Sequence, residues 1–271
     1  MTIKELQNSP IGVFDSGLGG LTVLKSLEKI LPNELFIYFG DTAHVPYGTK
    51  SVDTVIKYSQ NILDFFIKQR TKAVVIACNT ASAVAYHALQ KNYSIPLFDV
   101  VSPSVEFALH ESKTKNVGVI GTTSTVSSKA YSRQFAEKNS DFLIHEISCP
   151  LFVPVIEEGW ADTSIAREIA NIYLQDLKEK NIDTLILGCT HYPIMANIIQ
   201  SVLPVHVQLV FSGETVGEKL SHYLNENKLI STSNSDGYVE FYVSDFPQKF
   251  NELGGRFFGR ELIDVTHISL L

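Results

Sequence analysis

The sequence predicts an α/β fold of two pseudo-symmetric lobes. Each lobe is a mainly parallel sheet flanked by helices, and the functional site is expected in the cleft between them. Three observations carry this expectation. Short apolar runs alternate with longer amphipathic stretches, the pattern of βαβ units. Most of the short runs stop at Gly, Asp, Ser or Cys, where a parallel strand would open into a loop. Finally, the chain echoes itself. "IGVFDSGLGGLTVL" is repeated in kind by "VGVIGTTSTVSSKAY" at an offset of 106 residues (11 to 117). "AVVIACNTASAVA" is repeated by "TLILGCTHYPIMA" at an offset of 111 residues (78 to 189).

Taken in order, "PIGVFDSG" and "LFIYFGD" read as buried strands of the first lobe. "SVDTVIKYSQNILDFFIKQ" reads as a helix, because Val52, Val55, Ile56, Ile62, Leu63, Phe66 and Ile67 recur at helical spacing. "AVVIAC" and "IPLFDV" follow as strands. A lobe boundary is placed near "DVVSPSVEFA", where Pro103 follows the strand ending at Asp99. "NVGVIGT", "FLIHEIS", "TLILGC" and "VQLVFS" are the buried strands of the second lobe, with "SIAREIANIYLQDLKEK" a helix among them. The segment "GYVEFYVSD" and the C-terminal residues are expected to fold back onto the first lobe. The division is therefore residues 1–98 and 211–271 for one lobe and 99–210 for the other. With 271 residues, 45% of them apolar, such a chain has enough core material to need no disulfide or metal staple.

Composition excludes several classes of function. The net charge is −7, which argues against a nucleic-acid partner or an anionic membrane surface, since either calls for a basic patch. "MTIKELQNSP" has no apolar core of a signal peptide, and "AVVIAC" is too short to span a bilayer. A cytoplasmic protein is expected, in which thiols stay reduced. No cofactor or metal is expected. The three cysteines show no C-x-x-C spacing and no histidine-rich set, and no lysine stands at the strand ends for a pyridoxal group.

In open α/β sheets, ligands bind beyond the carboxyl ends of the strands, so the residues just after each strand are the candidates. Cys78 stands at a strand-to-helix turn, where unpaired N–H groups favour a thiolate. Cys189 stands in the matching place of the second echo, with Thr190 and His191 after it. If the lobes are duplicates, the two thiols flank one ligand. Cys149, which has no echo, reads as structural. Asp15 and Ser16 close the first strand. The "GLGG" run after them lacks the third glycine of a dinucleotide fingerprint and the Walker lysine, and reads as a tight turn offering N–H groups to a carboxylate. The Pro46, Tyr47 and Gly48 turn offers an aromatic wall and a backbone N–H. Gly121 to Thr125 offer hydroxyls, with Thr122 as the candidate contact. Glu157 and Glu158 are candidate acids.

"FDSGLGGLTV", "GDTAHVPYG", "ACNTASA" and "GCTHYP", met in this order between Ile11 and about Phe211, closely resemble the glutamate racemases, a family of the cofactor-independent aspartate/glutamate racemase superfamily. "ACNTA" alone suits the wider superfamily. The resemblance implies the two-lobe fold with a site between the lobes, a homo-oligomer that is commonly a dimer, glutamate as substrate, and a role in supplying D-glutamate for peptidoglycan and the cell wall that sets cell shape. It implies Cys78 and Cys189 as the catalytic bases, with Cys78 acting on D-glutamate and Cys189 on L-glutamate. Asp15, His191 and an acid matching Glu157 would assist them. Ser16, Tyr47, Gly48, Asn79, Thr80 and Thr190 would contact the substrate, together with Asp15 and His191. Two opposed groups of one type suit a reversible inversion, since each serves as base in one direction and acid in the other.

Three other readings remain open on the residues alone. One is a racemase of the same chemistry for aspartate or another amino acid. Another is a cysteine hydrolase or transferase using Cys189 and His191, which leaves Cys78 and the repeat without a role. The last is a non-catalytic two-lobe protein that closes on a small anion.

Overall fold

The structure, a computed structural model, describes residues 2–232 and 237–270. Along the chain run α1 (Ile3–Gln7), β1 (Ile11–Asp15), α2 (Leu21–Ile30), β2 (Phe36–Gly40), α3 (Val52–Lys68), β3 (Ala73–Ile76), α4 (Asn79–Asn92) and β4 (Leu97–Asp99). Next come α5 (Val101–Glu111), β5 (Asn116–Gly121), α6 (Thr123–Ser127), α7 (Ala130–Lys138), β6 (Leu143–Ser148), α8 (Phe152–Glu157), α9 (Ser164–Lys178), β7 (Thr184–Gly188), α10 (Ala196–Ser201) and β8 (Gln208–Phe211). The chain ends with α11 (Ser212–Glu226), β9 (Val239–Val243), α12 (Pro247–Phe258) and β10 (Val265–His267). Short 3-10 turns lie at Tyr47–Thr49 and Tyr192–Met195. No described helix is long and apolar enough to cross a membrane.

The strands form two sheets, in the orders β10-β9-β2-β1-β3-β4 and β6-β5-β7-β8, and neighbouring strands run parallel. The α/β class and the paired parallel sheets are those the sequence predicts. The internal echo is a repeat of topology as well. β2-β1-β3-β4 and β6-β5-β7-β8 have the same order, with β1 matching β5 and β3 matching β7. A glycine near the start of each leading strand is also matched. A Cβ on Gly12 would meet the Phe66 ring at 2.8 Å, and one on Gly118 would meet Leu185 at 2.8 Å. Both positions let a neighbouring side chain lie directly on the backbone.

β1, β2, β3 and β7 are buried throughout, which explains their unbroken apolar runs. β6 and β8 differ from the expectation of burial. They are the outer strands of the second sheet and are only partly covered. β9 pairs with β2, and β10, which had no sequence signal, pairs with β9. The return of the C-terminal segment thus extends the first sheet.

The helices follow from stripes and caps. α3 starts at Ser51, whose side chain accepts from Thr54 N–H, and buries Val55, Ile62, Leu63, Phe65 and Phe66. Val52 and Ile67, read from periodicity as part of that stripe, are about half exposed, because they sit at the two ends of the helix and off its buried face. α9 starts at Thr163 and buries Ala166, Ala170, Leu174 and Leu177. α11 packs on both α2 and α5, and one apolar cluster runs from Leu24 and Leu27 through Leu220 to Leu187 and Ile120. This shared core holds the carboxyl ends of the two sheets against each other.

Candidate active site

A cavity of about 390 Å³ opens where those carboxyl ends meet. From the first sheet come Ser16 after β1, the Pro46–Tyr47–Gly48 turn after β2, and Cys78, Asn79 and Thr80 after β3. From the second come Thr122 and Thr123 after β5, Pro150, Val153, Pro154 and Glu157 on and before α8, and Cys189, Thr190 and His191 after β7. In each sheet the strand order reverses beside the leading strand, β1 or β5. Each thiol follows the strand next to it, at the place where such folds open a crevice.

Cys78 is the N-cap of α4. Its sulfur accepts from Ala81 N–H at 3.5 Å and lies 3.9 Å from Ser16 Oγ. The sequence reading had the helix N-terminus favouring a thiolate here. In the structure, burial pushes the thiol up, the charge of Asp15 adds to it, and the Ala81 and Ser16 hydrogen bonds recover only part. The outcome is about 12. Cys78 is therefore held as a thiol in the unliganded site.

Cys189 has different neighbours. Its sulfur is 4.0 Å from His191 Nδ1, and His191 Nε2 is 3.0 Å from Glu157 Oε1. Burial alone would push the imidazole pKa down. The hydrogen bonds to Cys189 and Glu157, with the charge interactions with Cys189 and Asp15, outweigh burial and raise it to about 10. The ring is then an imidazolium at neutral pH, donating from both nitrogens. Its hydrogen bond holds Glu157 below the usual carboxylate range. Glu158 is exposed just past the end of α8, which decides between the adjacent acids.

Asp15 does not line the cavity. It is buried behind it, where its carboxylate accepts from Gly17 N–H at 2.9 Å and from the Thr190 hydroxyl at 3.3 Å. Burial raises its pKa, against the pull of His191 and the N–H groups of Gly17 and Gly20. The Gly17 N–H, read from sequence as a donor for a ligand carboxylate, is thus engaged by Asp15. Gly19 serves close approach instead, since a Cβ there would run into Thr190 Oγ1 and His191 Nδ1.

The two halves are tied across the cleft. Thr80 Oγ1 lies 3.0 Å from Thr122 Oγ1 and 3.3 Å from Thr125 Oγ1, and the latter two are 3.0 Å apart. The Asn79 amide donates to the Tyr131 hydroxyl at 3.1 Å and to Ser212 Oγ at 3.2 Å, while its buried Oδ1 has no partner among the described residues. Cys149 is buried in the core, apart from the cavity, with its thiol directed at the Ile147 carbonyl.

Sequence reasoning missed several parts. Pro150, Val153 and Pro154 form an apolar wall. They stand at helical spacing with Glu157, and that spacing was the available signal. Tyr131 and Ser212, which grip Asn79, end the runs "VGVIGTTSTVSSKAY" and "VQLVFS", where neither was singled out as a site residue. Among the described residues no lysine or arginine lines the cavity, and His191 supplies a cation.

Residues 11–214 match the family model described as Asp/Glu/hydantoin racemase. The chain is 45% identical over 260 residues to a protein called glutamate racemase from Geobacter metallireducens, covering 96% of each chain. It is similar to the crystal structure of glutamate racemase from Francisella tularensis in complex with D-glutamate. The TM-score is 0.91 with 43% identity, covering 97% of this chain and 98% of that one. A glutamate racemase isoform from Bacillus anthracis superposes with a TM-score of 0.94 at 34% identity, over 97% and 98% of the two chains.

Proposed function

The chain belongs to the Asp/Glu/hydantoin racemase family, and we propose that it interconverts L- and D-glutamate by a two-base transfer at Cα between Cys189 and Cys78. The single observation that carries this reading is the convergence of two thiols, from matching positions of two copies of one βα unit, on one cavity.

Racemisation needs a base on one face of Cα and an acid on the other. One direction starts with Cys189, beside the His191 imidazolium, as the base and Cys78 as the protonated partner. The Cys189 thiolate takes the Cα proton of L-glutamate and becomes a thiol. The electron pair left on Cα then takes the proton of Cys78 from the opposite face. The product is D-glutamate, with Cys78 now the thiolate, held by Ala81 N–H and the Ser16 hydroxyl. The reverse reaction starts from that second form. Each group is thus base once and acid once.

The developing carbanion and the substrate carboxylates need donors, and the cavity offers them without lysine or arginine. The hydroxyls of Ser16, Thr80 and Thr122 and the N-terminus of α4 face it. The unpaired Asn79 Oδ1 is an acceptor for the substrate ammonium. The Val153 and Pro154 wall adds apolar surface beside these donors, which strengthens their interactions. The physiological role is supply of D-glutamate for peptidoglycan in the cytoplasm, and the working form is a homodimer. The test is incubation of purified protein with L-glutamate, D-glutamate or L-aspartate without added cofactor, followed by chiral separation. Conversion of both glutamate enantiomers towards an equal mixture, with aspartate far slower, is expected. No conversion of glutamate, or faster conversion of aspartate, would overturn the assignment.

A further inference from the structure

The second strand ends in "GDTAHVPYG", and its first acid lies outside the cavity. Asp41 is 3% exposed and accepts from three side chains. The Tyr47 hydroxyl donates to Oδ2 at 2.5 Å. The Ser244 hydroxyl donates to Oδ1 at 2.7 Å, and His44 Nδ1 lies 2.8 and 3.0 Å from the two oxygens. Ser244 also accepts from Ala43 N–H at 2.9 Å, so the loop after β9 is bound to the turn after β2. His44 stacks on Tyr58 at 3.9 Å, beside Tyr47. The Asp41 N–H donates to the Asp15 carbonyl at 3.0 Å.

Tyr47 is the member of this cluster that reaches the cavity, and its ring is almost wholly buried. Burial and the Asp41 charge keep its phenol protonated, so its hydroxyl is a donor committed to Asp41. What Tyr47 presents to a ligand is its ring and main chain, in a place set by the carboxylate behind it. Gly48, next in the chain, packs its Cα against Thr122, where an added Cβ would lie 3.2 Å from the threonine side chain.

We propose that Asp41 is a positioning residue of the site, fixing the Tyr47–Gly48 wall through the Tyr47 hydroxyl and so controlling substrate affinity. This rests on the glutamate racemase reading. Because Asp41 acts through Tyr47, removing either end of the hydrogen bond has the same consequence. D41N turns an acceptor against a donor, and Y47F deletes the donor but keeps the ring.

The experiment measures KM and kcat for glutamate in wild type, D41N, Y47F and the double variant, with thermal unfolding of each. Each single variant is expected to raise KM about ten-fold, the size of one hydrogen bond to a buried carboxylate, with kcat within about three-fold. The double variant is expected to be no worse than D41N, because one interaction is being removed twice. Effects that multiply in the double variant, or a KM unchanged in Y47F, overturn the proposal. Should D41N fail to fold, S244A replaces it, since Ser244 donates to the same carboxylate from outside the cavity. S244A is expected to raise KM about two-fold in the presence of Tyr47 and not at all in Y47F, and equal effects in both backgrounds overturn the proposal. A wild type that does not racemise glutamate defeats the functional reading itself, which separates the two failures.

Discussion

The Cys78 and Cys189 halves of the site have the same scaffold and different chemistry. Both sulfurs follow the third strand of a β2-β1-β3-β4 or β6-β5-β7-β8 unit. Cys78 then caps a 14-residue helix, is buried near Asp15, and stays protonated. Cys189 is followed by a short 3-10 turn that brings His191 beside it, with Glu157 behind the imidazole. The repeated unit brings two thiols to one cavity. In the proposed mechanism, the residues around each decide which is base and which is acid at the start of a turnover.

The sharpest way to break this comparison is to remove one sulfur at a time. C78S and C189S should each lose racemisation by about 10³-fold or more, the size of a lost general acid–base partner. Measurable racemisation at near wild-type rate in either variant, by chiral separation, would sink the two-thiol assignment.

Changes to the Cys189 half should be smaller and should alter pH behaviour. H191N is expected to lower kcat by about 10²-fold and E157Q by about ten-fold, the second being one charge-assisted hydrogen bond. His191 has a folded pKa raised to about 10 from 6.5. Its contribution to stability is therefore full below about pH 6.5 and is lost as pH rises through about 10. Urea unfolding of wild type and H191N should show their difference shrinking across that window. A difference independent of pH would mean that the ring is not held as an imidazolium.

A pair of alanines tests how closely the "GLGG" loop serves the Cys189 half. G19A would drive a Cβ into Thr190 and His191, and should cost about 1–3 kcal/mol in unfolding free energy and slow turnover. In G17A the new Cβ meets only Val45 at 3.5 Å, so stability should change by less than about 1 kcal/mol. Equal effects would remove the close-approach account of Gly19.

The smallest expected effect concerns the tie between halves. T80A removes one corner of the Thr80–Thr122–Thr125 triangle and should cost about 1 kcal/mol, seen as a KM raised a few-fold. An unchanged KM would make the triangle a packing detail.

Much of this was legible in the sequence because parallel strands buried on both faces leave unbroken apolar runs. β1, β3, β5 and β7 each end in the residues that line or support the cavity. The two echoes located both thiols, and the motif after β7 located His191. What was not legible depends on tertiary placement. Cys78 carries the same helix N-terminus that lowers some thiols, but burial and Asp15 reverse the sign, and neither is a local property. Glu157 and Glu158 are neighbours in sequence, but Glu157 ends α8 beside His191 while Glu158 is exposed just past the helix. β10 is three residues long and is a strand only because β9 offers it an edge. Asp41 is held by Ser244, some 200 residues later in the chain, a partner that no local pattern announces.

Opposed thiols leave a specific isotopic record. In deuterated water, early in the reaction from pure L-glutamate, the D-glutamate formed should carry deuterium at Cα from Cys78, while the L-glutamate that remains keeps its protium. Mass analysis of the separated enantiomers reads this directly. Deuterium appearing equally in both enantiomers, or product that retains the original protium, would mean one base acting on both faces and would contradict the two-thiol site.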